Sequence, residues 1–151
     1  MAVEIVKAQP GDSVARRIGR WVLGGTMVLA GISHLTFARR AFRAQVPKFV
    51  PELLPVTVDQ VVVWSGVVEI AMGASLVLFP RQRKALGWAL AVLYVAIFPG
   101  NLAQWQHHRD AFGLDTDGKR MARLFGQPLL VAWALWSTGA VDGKTLGRQS
   151  D

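Results

Sequence analysis

The chain contains no cysteine and one tyrosine, and charged residues make up only 18% of its 151 positions. The first absence excludes disulfides, thiolate catalysis, cysteine-ligated zinc and iron–sulfur clusters, and leaves the redox compartment open. The scarcity of charge is unlike a soluble domain of this size and points to a membrane protein. Acids are scarcer than bases, 10 against 17, giving a net charge of +7. The bases stand at the ends of apolar runs rather than along one polar element, so nucleic acid is not the expected partner. No G-x-S-x-G, phosphate loop or His/Glu zinc motif occurs. His107-His108 are neighbours on a loop rather than a ligand set. Asp115-Thr116-Asp117-Gly118 reads as a turn. With Gly118 as the glycine of a calcium loop, the first and last ligands would fall on Gly113 and Leu124, whose side chains cannot serve. No metal site is expected.

What is present is apolar: 52% hydrophobic residues, a mean hydropathy of +0.30, six Trp and seven Phe. Four segments are long enough to cross a bilayer core of about 30 Å as helices: 18–37, 58–79, 85–105 and 122–141. The expected fold is all-α, a four-transmembrane-helix bundle over 18–141 between polar tails at 1–17 and 142–151. Arg16, Arg17 and Arg20 ahead of the first run resemble a secretory signal. The run continues to Phe37 without an A-x-A-like site, and it reads as a retained anchor. Asp12 or Ser13 is placed to cap its helix. Gly24, Gly25, Thr26, Ala30 and Gly31 form a small-residue face that lets another helix approach. Residues 37–57 alternate bases with apolar residues and carry Pro47, Pro51 and Pro55. An amphipathic connection that lies in the headgroups or folds back over the bundle mouth is expected. Trp21, Trp88, Trp105 and Trp136 suit interface anchors. The bases near the first run and in the short Arg81–Lys84 loop place both termini in the cytoplasm.

The segment 58–79 carries one acid at its middle, Glu69, about 16 Å from its start at 1.5 Å per residue. An acid at membrane depth is costly unless protonated or partnered, and marks a functional site by default. Ser65 and Gly73 lie one turn to either side of it. His34, Asn101, Gln127 and Arg123 fall in the outer half of the other three helices. Tyr94 shares a face with Asn101, two turns deeper. Pro99 and Pro128 free the carbonyls of Val95 and Leu124 within their helices. Together these predict an outward polar cavity with Glu69 at its floor. The plainer alternative is that Asn101 and Gln127 satisfy those carbonyls and that Glu69 neutralises Arg123 in a buried pair.

GISHLTF (31–37), VPKFVPELLP (46–55), WSGVVEIAMG (64–73), FPGN (98–101) and RLFGQPLLVAW (123–133) together resemble the DoxX family of small bacterial membrane proteins. The resemblance implies a four-helix transmembrane bundle in the bacterial cytoplasmic (inner) membrane. It implies matches at His34, Pro47, Pro51, Glu69, Gly73, Asn101, Gln127 and Pro128. Some relatives are membrane subunits of a thiosulfate:quinone oxidoreductase, and others are linked to redox-stress assemblies. The branch that uses cysteines is not available to this chain. The expected function is the membrane subunit of a quinone- or sulfur-linked redox complex. Glu69 would exchange protons, and His34, Asn101, Arg123 and Gln127 would bind a quinone headgroup or a small sulfur compound. The partner would be a redox protein or a second copy of the chain. The alternatives are a non-catalytic membrane anchor or assembly factor, and a small transporter.

Overall fold

The computed structural model describes residues 11–142. The outer parts of both predicted tails, with Lys7, Lys144 and Arg148, lie outside the described residues. Among those described there are only helices and turns: α1 (Val14–Leu35), α2 (Arg39–Arg43), α3 (Phe49–Leu53), α4 (Val58–Leu78), α5 (Arg83–Gln106) and α6 (Asp117–Thr138).

The helix starts follow their caps. The Ser13 hydroxyl accepts from the Arg16 amide at 3.2 Å and opens α1. Asp12, the other capping expectation, pairs with Arg20 instead. Thr57 and Gln60 form a reciprocal capping box at the start of α4. Thr116 caps α6, so this helix begins at Asp117 rather than at the expected 122. Its first turns hold Lys119 and Arg120, which had read as loop, and Arg123. Gly139, at φ 65°, closes α6 in the left-handed conformation.

The four long helices run up and down as a bundle. α1 packs most intimately on α4, and α5 on α6; α1 also meets α6. Leu23, Met27, Leu76, Leu90, Tyr94 and Ala134 form the common core. The close contact of α1 with α4 comes from two glycine pairs seven residues apart, Gly24 against Gly73 and Gly31 against Gly66. A Cβ on Gly24 would come within 2.7 Å of the Gly73 carbonyl oxygen, and one on Gly66 within 2.9 Å of that of Gly31. Gly25, expected on the same face, has open space beside it.

Of these helices, α4 and the stretch Pro80–Gln106 that contains α5 are long and apolar enough to cross a membrane. α1 and α6 match them in length, but each carries three bases near its start: Arg16, Arg17 and Arg20, and Lys119, Arg120 and Arg123. By length and composition, two of the four expected spans meet that description.

Both ends of the bundle are tied. At one, Arg20 is fully buried; it bonds Asp12 at 2.8 and 3.0 Å and the Ser137 carbonyl at 3.0 Å. Arg16 pairs with Asp142 nearby. At the other, Arg39 and Arg43 converge on Asp59, and Arg109 donates to the Ala44 carbonyl at 2.9 Å. The connection 37–57 therefore folds back on the bundle, with Val46 buried.

Candidate functional site

A cavity of about 630 Å³ lies inside the bundle. α1 brings His34 to it, α4 brings Glu69, α5 brings Tyr94 and Asn101, and α6 brings Arg123 and Gln127. The five candidate site residues from the sequence, His34, Glu69, Asn101, Arg123 and Gln127, thus line one space, with Tyr94 beside them. Leu23, Met27, Ile97, Leu130 and Trp133 supply much of its apolar wall. An apolar cavity of a few hundred cubic ångströms with a few convergent polar groups is the usual form of a small-molecule site.

The polar groups are arranged unequally. His34 Nδ1 lies 2.9 Å from the Ala30 carbonyl oxygen, one turn back on its own helix. A carbonyl only accepts, so Nδ1 carries the proton and its hydrogen bond is directed there. Glu69 Oε2 is 3.3 Å from the same nitrogen but buried without a hydrogen-bond partner. Gln127 Oε1 is likewise buried and unpartnered, on a residue only 6% exposed. Asn101 is 5% exposed. Among the described residues, neither Asn101 nor Gln127 bonds the carbonyl freed by a helix proline, and no direct ion pair joins Glu69 to Arg123. The helix-locking alternative finds no bonds here.

Arg123 is held from the connection and the α5–α6 loop. With its amide oxygen turned to the guanidinium, Gln45 accepts from Nη1 and Nη2 of Arg123, at 2.6 Å each. The guanidinium carbon stands 5.1 Å from the centre of the Phe112 ring, within cation–π range. Phe112 adopts φ 57°, an uncommon conformation for a bulky residue. Its ring meets Phe42 edge-on at 4.5 Å. Phe42 in turn stacks on His34, with ring centres 3.3 Å apart. A chain of side chains, His34–Phe42–Phe112–Arg123, therefore crosses this end of the cavity.

Residues 23–138 match the family model described as a domain of unknown function, DUF8561. The chain belongs to this DUF8561 family. The match begins in α1, runs to the last residue of α6 and includes all five cavity residues. It overturns the DoxX resemblance, because the family found is a different one. Short strings of small and apolar residues around a proline or an acid recur wherever helices pack closely in an apolar setting. Those five strings were therefore weaker evidence of kinship than their number suggested. No curated protein and no solved structure matches the chain.

In the DUF8561 chain, Gln45, Phe42 and Trp133 line the cavity, and Phe112 backs Phe42 and Arg123; the sequence did not reveal these roles. Gln45 lies between an amphipathic turn and Pro47, where nothing in the local pattern distinguishes it from a solvated glutamine. Phe112 follows the two exposed histidines on a loop. Trp133 donates to the Gly19 carbonyl at 3.1 Å, which aligns it on the cavity wall. His108 pairs with Asp117 at 2.8 Å on the surface, away from the cavity.

Proposed function

We propose that this DUF8561 protein is a membrane protein whose four long helices all cross the bilayer and enclose a binding site for a small ligand of the quinone class. One observation carries the reading: two buried polar oxygens, Glu69 Oε2 and Gln127 Oε1, have no partner and line a cavity large enough for a ring-sized molecule. A buried polar atom without a hydrogen bond costs about 1–3 kcal/mol, and a ligand that supplies the bond recovers it. Asn101 and the amide nitrogen of Gln127 suit the carbonyls of an oxidised ring. Glu69 and Gln127 Oε1 suit the hydroxyls of a reduced one. Proton exchange falls to Glu69, and electrons to a partner redox protein.

Four crossings are supported by the way the charges of α1 and α6 are handled. Arg20 is turned inward onto Asp12, and Arg120 is buried against Asp110 and Asp117. Arg123 is drawn into the cavity. The faces left outward are apolar, with Trp21, Val22 and Leu29 on α1 and Phe125, Leu129 and Trp136 on α6. The basic end of the bundle, with Arg16, Arg17 and Arg81–Lys84, is the cytoplasmic one on this reading, in a bacterial inner membrane.

The test is native mass spectrometry of the protein released gently from its own membranes. A retained species of quinone-like mass, lost in Glu69→Gln, is the expected result. A bare bundle held to another protein would instead make the chain an anchor or assembly factor.

A further inference from the structure

A second cavity, of about 250 Å³, adjoins the first and shares His34, Phe42, Gln45 and Ile97 with it. One wall is α4, with Val61, Val62 and Ser65; the other is α5, with Ala96, Pro99 and Gly100. Pro47, Phe49 and Val50 of the connection cover it. Ser65 is its one hydroxyl, already bonded to the Val62 carbonyl at 2.9 Å. The rest of these walls is apolar. Two features keep the crevice open. Although only a short turn separates them, α4 and α5 touch each other least of the neighbouring long helices. Gly100 lets the connection lie close, since a Cβ there would strike the Gln45 carbonyl oxygen. Ala96 and Pro99 are exposed and Phe49 is half-exposed, so the crevice reaches the protein surface. It does so between the two helices best suited to lie in lipid.

We infer that the crevice between α4 and α5 holds an apolar chain whose polar head sits in the main cavity, so that the ligand is lipid-like and enters sideways from the bilayer. The inference rests on the ligand-site reading above and adds the ligand's second half. The observation behind it is a division of chemistry across four shared residues. The unpartnered buried oxygens lie on one side, and a nearly wholly apolar cleft that reaches the surface lies on the other. A small polar solute would leave that cleft unused, whereas a ring with a hydrocarbon tail matches both parts.

A chain that leaves lipid for an apolar cleft gains little, because both surroundings are apolar, so steric selectivity is the useful readout. The probes are dimethoxy-methyl-benzoquinone without a tail and the same ring carrying a decyl chain. Binding is measured on the full chain in nanodiscs. Ala96→Phe and Val61→Phe fill the crevice from opposite walls, and Val92→Phe, on the exposed face of α5, is the control. The expected result is a loss of about tenfold or more for the tailed probe in both crevice variants. The tailless probe, whose retained binding also reports an intact fold, should stay within about twofold. Equal losses for both probes in both crevice variants, or no loss for either, would overturn the tail site while leaving the head site standing. Failure of the wild-type chain to bind either probe would overturn the ligand reading itself, and the tail site with it.

Discussion

Glu69 Oε2 lies 3.3 Å from His34 Nδ1, yet the hydrogen bond of that nitrogen goes to the Ala30 carbonyl at 2.9 Å. A single N–H cannot serve two acceptors well. The helix geometry of α1 fixes its choice, because His34 and Ala30 are one turn apart. Glu69 is thereby left beside a cation-capable ring without a bond to it, and its oxygen faces whatever occupies the cavity.

Glu69→Gln follows directly. The substitution removes no hydrogen bond within the protein, so thermal stability should change little. Affinity for the reduced, benzohydroquinone form of the probe should fall by about tenfold or more, since hydrogen bonds from its hydroxyl to a charged carboxylate are worth about 1.5–3 kcal/mol. Calorimetric titration and a melting curve separate the two. A large drop in melting temperature with unchanged affinity would make Glu69 a structural residue.

The glycines of α1 should respond with opposite signs. Gly31→Ala would drive a Cβ to 2.6 Å from Ile70 Cγ1 and against the Gly66 backbone, and is expected to cost about 1–3 kcal/mol by overpacking. Gly25→Ala meets nothing and should stabilise its helix by up to about 1 kcal/mol. Melting curves in one detergent compare them. Equal effects would show that α1 and α4 do not meet through the glycine pairs.

The end of the bundle tied through Arg16 and Arg20 should be acid-sensitive. The Arg20 guanidinium holds the Asp12 carboxyl below the usual range, overcoming the opposite effect of its burial. Arg16 lowers Asp142 in the same way. A carboxyl whose pKa is lower folded than unfolded stabilises the fold fully above pH about 4. That contribution is lost as pH falls through the lowered folded value. Asp12→Asn should flatten the melting profile below pH 4. It should also cost about 3 kcal/mol at neutral pH, because buried Arg20 is left uncompensated. An unchanged acid limb would exclude Asp12 as a contributor.

The absence of cysteine makes topology easy to read. Single cysteines at Ser13 and Gln82 should react with a membrane-impermeant maleimide from one side only. Those at Lys48 and Asp115 should react only from the other. Labelling of Ser13→Cys and Lys48→Cys from the same side would mean that α1 does not cross.

Much of the architecture was legible because apolar runs of helical length leave few alternatives, and α4 begins at Val58, where its apolar run was expected to start. The start of α6 was not. Lys119 and Arg120 read as loop, whereas backbone hydrogen bonding tolerates them once Thr116 caps the helix. The five cavity residues could be named one at a time, since a polar side chain within an apolar helix stands out. Their partners could not be named: Gln45 and Phe112 come from connections whose local pattern is that of any surface loop.

The sequence by itself determined that the chain is helical, where the apolar cores of its long helices run and which polar groups those carry, because these follow from local hydropathy and spacing. Only the tertiary structure decided that Arg20 is neutralised by Asp12, that Glu69 stands 3.3 Å from His34 Nδ1 without receiving its hydrogen bond, and that a cleft opens between α4 and α5. None of these is specified by local hydropathy and spacing; each is set when the chain ahead of α1 turns back, the helices pack and the 37–57 connection folds over them.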